Sequence, residues 1–256
     1  MLKIKKILIS SLILVTCSFA HADNQVIRIA TEGAYPPYNF VKPDGSLGGF
    51  DVDIANALCA EMKVQCKLVK QDWDGIIPGL MAKKYDAIVS SMAITPEREK
   101  KVAFSDKYEG GYSMLFGSKS LTDSSPAALQ GKIIAVQKGS IQENFAKDYF
   151  EKAGIRVPRY SDTQMALMDL KAGRVDAVVL EVAIIADAQK DPNLSAYQAF
   201  GEKFDDPTFF GTGSGIAVRK ADQALLGQFN QALKTVLANG TYKQINDKYF
   251  TYDQYE

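Results

Sequence analysis

Hydrophobic positions along this chain switch between two rhythms, and each switch predicts the boundary of an element. Four short apolar runs, rich in β-branched residues, end in polar or glycine-containing stretches: "VIRIATEG" (26–33), "DAIVSS" (86–91), "KIIAVQKGS" (132–140) and "DAVVLE" (176–181). They read as buried strands over 26–31, 86–90, 132–136 and 176–180. Between them the spacing is helical. In "FDVDIANALCAEM" (50–62), Ile54, Leu58 and Met62 recur at i, i+4 and i+8. Asp51 and Asp53 fall in the first turn, where the helix dipole favours anions. "SIQENFAKDYF" (140–150) opens with Ser140 and Glu143 at capping-box spacing. "QALLGQFNQALKTVLANG" (223–240) carries an apolar stripe and stops at Gly240.

Two of these patterns repeat. "LMAKKYDAIVSS" (80–91) returns as "LKAGRVDAVVLE" (170–181), each reading Leu-x-Ala-x-basic-x-Asp-Ala before a β-branched run. Each is the end of a helix, a tight turn and a buried parallel strand. A looser echo links 26–33 to 132–140. Two βαβ-type units favour two similar α/β lobes over one doubly wound sheet with a shared core. The chain then crosses between lobes near 110–117 and returns through "FFGTGSGIAVRK" (209–220), with a strand at 215–219 and two helices rejoining the first lobe. The expected organisation is 23–111 in lobe 1, 112–207 in lobe 2 and 208–256 back in lobe 1. Two connecting strands make a hinge suited to closing about a cleft.

The first 22 residues depart from the rest. Lys3, Lys5 and Lys6 precede the apolar "ILISSLILVTCSFA", and Ala20-His21-Ala22 follows. This is a secretory signal with cleavage expected after Ala22, too short and poorly flanked for a membrane span. Cys17 raises a lipoprotein alternative, but Thr16 is larger than the usual small residue before such a cysteine. Without the signal the chain carries 27 basic and 30 acidic side chains, a net charge of −3, and no basic run that would suit nucleic acid. The single histidine, His21, leaves with the signal, which removes histidine-based triads, most histidine-containing zinc sites and the usual proton shuttle. No metal or cofactor is expected. The remaining cysteines, Cys59 and Cys66, lie close together in an exported chain, which favours a disulfide over two buried thiols. So short a loop gives about 2 kcal/mol.

Ligands of open parallel sheets sit beyond the carboxyl ends of the strands. The loops there carry Glu32 and Tyr35; Ser90, Ser91, Ala93 and Arg98; Gln137, Ser140, Ile141 and Gln142; and Glu181. Carboxylates, one arginine, hydroxyls and an aromatic ring are what a zwitterion needs. Thr95 reads as an N-cap and Pro96 as the first helical residue, so Arg98 is third, where a cation opposes the dipole. It fits there if it reaches back to hold an anion in a bidentate pair; the plain alternative is a solvated arginine beside Glu97 or Glu99. Glu181 can meet an ammonium group across a closing cleft or simply favour a helix start. Ser140 is explained by capping alone, yet its helix also offers free N–H groups. Tyr35 and Trp73 can be ordinary packing residues. With Glu32 they can also sandwich an extended side chain that ends in a cation, as in arginine, ornithine or lysine.

"GGFDVDIANALCAEM" (48–62) resembles the signature of the polar amino-acid family of periplasmic solute-binding proteins: Gly-aromatic-Asp-x-Asp-aliphatic, then spaced aliphatics. The chain from 23 to 256 is similar to the branch with lysine/arginine/ornithine- and histidine-binding proteins and opine-binding relatives. "DAIVSSMAITPER" (86–98), "VQKGSIQ" (136–142) and "FFGTG" (209–213) fall where that family has them, and the two cysteines match a disulfide of the branch. The resemblance implies a two-lobed α/β periplasmic-binding-protein fold (type II). It implies a monomeric, non-enzymatic periplasmic receptor that closes on an amino acid and delivers it to an inner-membrane ABC permease. By the same resemblance, Arg98 takes the α-carboxylate with backbone groups near Ala93 and Ile141, and Glu181 the α-ammonium. Tyr35 and Trp73 stack on the side chain, and Glu32, Ser90 and Gln142 receive its distal nitrogens. The sequence departs from the branch at five places. Glu32 and Glu181 stand where Asp is frequent, Ala93 replaces Ser, Ile141 replaces Thr and Trp73 replaces Phe. These leave the ligand class intact and its identity open, an opine included. A dehydratase-like enzyme on the same fold would need a poised general acid, and a receptor-kinase sensor would need a downstream membrane helix. Glu32 and Glu181 are better used as cation partners.

Overall fold

The computed structural model describes residues 26–255; the signal sequence, its cleavage site and Cys17 lie outside the described residues. The chain opens with β1 (Val26–Thr31), the small sheet of β2 (Ala34–Tyr35), β3 (Asn39–Val41) and β4 (Leu47–Gly48), then α1 (Phe50–Met62) and β5 (Gln65–Lys70). It continues through α2 (Ile76–Met81), β6 (Ala87–Ile88), the single turn α3 (Pro96–Glu99) and β7 (Ala103–Glu109). Next come β8 (Ser113–Ser118), β9 (Ile134–Gln137), α4 (Ile141–Tyr149), β10 (Arg159–Tyr160), α5 (Thr163–Lys171), β11 (Ala177–Glu181), α6 (Val182–Ala188) and β12 (Tyr197–Phe204). The last elements are α7 (Pro207–Phe210), β13 (Ser214–Val218), α8 (Gln223–Ala238) and α9 (Thr241–Tyr249).

Two five-stranded sheets have one topology between them. Their orders are β5-β1-β6-β13-β7 and β10-β9-β11-β8-β12. In each, the first three strands run parallel and the last two pairings are antiparallel. The repeated sequence segments occupy matching places, β6 and β11 third in order and β1 and β9 second. The fourth strand of each sheet is a chain that has just come over from the other. β8 follows β7 through Gly110–Tyr112, and β13 follows β12 through the segment containing α7.

Alternation along the strands explains why both faces of each sheet are covered. In the first sheet Ile27, Ile29, Val89, Ile216 and Val218 face one cluster under α1 and α8, while Ala30, Ile88 and Ala217 face another with Ile76, Leu80 and Tyr85. That is the period of two expected of a pleated strand buried on both sides. In the second sheet Phe145 of α4 anchors an aromatic group, with ring centroids 4.5 Å from Phe204, 5.6 Å from Phe209 and 5.2 Å from Phe210. Cys59 of α1 is bonded to Cys66 of β5.

Two local expectations change in detail. The strand expected at 86–90 pairs only over Ala87–Ile88, because the backbone turns out of the ladder at Ser91, whose φ is 45°. Ser140 does cap α4, accepting the Glu143 N–H at 3.0 Å. Glu143, however, accepts from Gly139 N–H at 2.6 Å, one residue earlier than a capping box requires, while its other oxygen holds Arg159 at 2.7 Å.

Candidate functional site

The carboxyl ends of the parallel strands in both sheets open onto one cavity. All twelve residues expected from the sequence line it. The cavity is closed over by bonds from one sheet's loops to the other's. Trp73 Nε1 donates to the Gly139 carbonyl at 3.0 Å, Thr163 Oγ1 to the Ala34 carbonyl at 3.3 Å, and Gln137 Nε2 to Glu32 Oε1 at 2.5 Å.

Arg98 is placed by its helix start. Thr95 Oγ1 accepts the Arg98 N–H at 3.3 Å, with Pro96 as the first helical residue. The side chain turns back: Nη1 donates to the Ala93 carbonyl at 3.1 Å, and the guanidinium carbon lies 5.2 Å from the Trp73 ring centroid. Among the described residues no carboxylate forms a salt bridge with it. Burial lowers its pKa to about 10, against the opposing pull of Glu97. It stays a cation at neutral pH, held in the wall with a carbonyl and an aromatic face for company. Among the described residues neither Glu97 nor Glu99 forms a salt bridge with it.

The carboxylates come from both sheets. Glu32, just beyond β1, is fixed by its own N–H donating to Ser90 Oγ at 3.0 Å and by the Gln137 amide. Burial pushes its carboxyl up to about 8, partly offset by Gln137. Glu181 ends β11 in the N-cap position of α6 but makes no capping bond. Neither of its buried oxygens has a hydrogen-bond partner among the described residues, and burial raises its pKa to about 7. The space beside it depends on Gly111, where a Cβ would sit 2.6 Å from Glu181 Oε1. The residue lines the cavity, with the Ala183 and Ile184 amides and the Tyr38 hydroxyl as its polar neighbours, which partly offset the effect of burial.

Ser91 and Asp51 form the support beneath. Asp51, expected only to complement the α1 dipole, is fully buried and accepts from the Tyr108 hydroxyl at 2.6 Å, Asn39 Nδ2 at 2.7 Å and Ser91 Oγ at 3.0 Å. Gln142 Nε2 donates to Ser113 Oγ at 3.1 Å, which leaves its carbonyl oxygen as the group available to a ligand. Tyr35 stacks on Tyr38 at 5.8 Å between centroids. Sequence reasoning missed Tyr38, Glu109, Tyr112, Ser113, Phe210 and Ser214, which also line the cavity. Glu109 ends a strand and obeys the strand-end rule. It was hidden because "AFSDKYE" mixes polar and apolar residues and gives no clean strand signal. Among the described residues no cluster of His, Cys, Asp and Glu is placed to hold a metal ion.

Residues 27–252 match the family model of bacterial extracellular solute-binding proteins, family 3. The chain belongs to this family. An L-arginine-binding protein of Pseudomonas aeruginosa is 47% identical over 236 residues, covering 91% of each chain. The lysine/arginine/ornithine-binding periplasmic protein of Escherichia coli is 37% identical, covering 90% of each. Among solved structures, a Salmonella typhimurium periplasmic binding protein described for its high arginine specificity superimposes with a TM-score of 0.83 at 36% identity, covering 89% of this chain and 100% of that one. These family-3 relatives are binding proteins, and the architecture here is the two-lobed one of periplasmic amino-acid-binding proteins.

Proposed function

We propose that the mature chain is the periplasmic receptor of an ABC importer, and that it closes on a basic L-amino acid, arginine foremost. One observation carries the reading. The cavity holds a guanidinium without a carboxylate, and it holds carboxyls without a cation from both sheets, Glu32 from one and Glu181 from the other. A basic amino acid supplies each missing partner. Its carboxylate pairs with Arg98, helped by the free N–H groups at the start of α4, Ile141 included. Its ammonium pairs with Glu181, and its distal cation pairs with Glu32, beside Ser90 and the Gln142 carbonyl. Tyr35 and Trp73 flank the methylenes. Several charge-assisted bonds formed out of water offset the cost of immobilising ligand and hinge. The two relatives named for binding arginine support the choice of side chain.

On this reading the signal is removed after Ala22, the lobes are 23–111 with 208–256 and 112–207, and the receptor acts as a monomer on an inner-membrane permease. Titration calorimetry against arginine, ornithine, lysine, histidine, citrulline, glutamine and an arginine-derived opine tests it. Arginine should give the tightest binding and citrulline, its neutral isostere, should bind far more weakly. Absence of heat with every compound would overturn the assignment.

A further inference from the structure

Glu109 lines the cavity and the proposed ligand contacts leave it without a task. It ends β7 and is 3% exposed. The groups facing it from each packed element are anionic or neutral. They are Asp51 of α1, Glu181 of β11, Tyr35 of β2, Tyr38 in the loop after β2, and Tyr108 beside it in β7. Tyr242 of α9, Tyr252 near the C-terminus and Ser214 of β13 complete the surroundings. Arg98, the one cation among the described lining residues, is turned toward Ala93 and Trp73 instead.

The two adjoining carboxyls differ in the donors that reach them. Asp51 already accepts from Tyr108, Asn39 and Ser91. Ser91 Oγ lies 3.0 Å from Asp51 Oδ2 and also 3.4 Å from Glu109 Oε2. A serine hydroxyl has one hydrogen. With that hydrogen on Asp51, the nearer acceptor, Ser91 Oγ is left with lone pairs toward Glu109, and a protonated Glu109 can donate to it, with the Ser214 hydroxyl as its other neighbour.

We propose that Glu109 works as a neutral carboxylic acid, donating to Ser91 Oγ and offering its carbonyl oxygen to the ligand's ammonium beside the Glu181 carboxylate. The inference rests on the amino-acid reading of the cavity and extends it. With Glu109 neutral, every ion in the filled cavity has one counter-ion: Arg98 with the ligand carboxylate, Glu181 with the ammonium, Glu32 with the side-chain cation. An ionised Glu109 would add an unmatched buried charge beside Asp51 and Glu181. Its surroundings agree: burial, and then the charges of Asp51 and Glu181, push this carboxyl well above the usual carboxylate range. Glu109 itself gives up no proton on binding; the acid proton stays on it throughout.

The test compares wild type with E109Q, the neutral isostere, and E109L, which keeps bulk but neither accepts nor donates. At neutral pH, arginine affinity in E109Q should stay within about threefold of wild type, and E109L should lose tenfold or more. The number of protons exchanged on binding, measured by calorimetry in buffers of different ionisation enthalpy, should be the same in E109Q and wild type. A tenfold loss in E109Q, or a changed proton count, would mean that Glu109 is an ionised partner and would overturn the proposal. So would failure of E109Q to fold, since one neutral group replaces another. Infrared spectra of the ligand-free protein provide a readout that needs no ligand: above pH 8, where Glu32 and Glu181 are ionised, wild type should carry a protonated-carboxyl band that E109Q removes. If that band is present and no amino acid binds, the receptor assignment fails while the neutral acid stands. If arginine binds and the band is missing, the neutral acid fails alone.

Discussion

Arg98 has its charge screened by only one carbonyl and one ring face, so its burial is costly until an anion arrives. That asymmetry is what a binding residue needs, because the ligand restores what folding removed. Arg98→Ala should therefore weaken arginine binding by at least about 2–3 kcal/mol, the size of a lost buried charged contact, as measured by titration calorimetry. A change within experimental error would place the ligand carboxylate elsewhere. The same residue illustrates what was legible at this scale. "TPER" gives the cap, the proline and the third-position arginine directly, since all are set by neighbours in sequence. The role of Asp51 was not legible. As a first-turn acid it satisfies the helix dipole, and nothing local tells that Tyr108, Asn39 and Ser91 converge on it from distant parts of the chain.

Helices and strands bring these side chains to one place through their ends. β1, β6, β9 and β11 all stop at the cavity, and the apolar runs that predicted them are strong because each strand is buried on both faces. α3 is a single turn, too short to show periodicity, and was found by its cap alone. The bridge between Cys59 and Cys66 ties the last turns of α1 to β5 at a sequence separation of 7. Replacing both cysteines by serine should lower unfolding free energy by about 2 kcal/mol, read from urea denaturation under oxidising conditions. Neither cysteine lines the cavity, so arginine affinity should hardly change in the same variant.

For the molecule as a whole, closure and protonation are linked. Glu32 near 8 and Glu181 near 7 are both raised from the ordinary 4.5 by burial in the closed form. A carboxyl with a raised value binds its proton more tightly when enclosed than when hydrated. The closed, empty form is therefore favoured fully below about pH 4.5, and that advantage is lost as pH rises through 7 and 8. Small-angle scattering of the ligand-free protein should record a growing radius of gyration between about pH 5 and pH 8, as the hinge opens to hydrate the two carboxylates. Arginine should reverse the growth at the upper end by bringing its own cations. A constant radius over that window would refute the linkage.

The chain's own order of residues determined the main parallel strands and helices, the doubled βαβ pattern and the dozen side chains near strand ends, because each depends on periodicity, capping or position relative to a strand's end. Tertiary structure alone decided that Gln137 meets Glu32, that Trp73 covers Arg98, and that Asp51 and Glu109 meet at the Ser91 hydroxyl. Those facts arise from two sheets that exchange their fourth strands and face each other across a cavity. Residues as far apart as 32 and 137 then come within hydrogen-bonding distance, and their charge states follow from how much water the closed walls leave them.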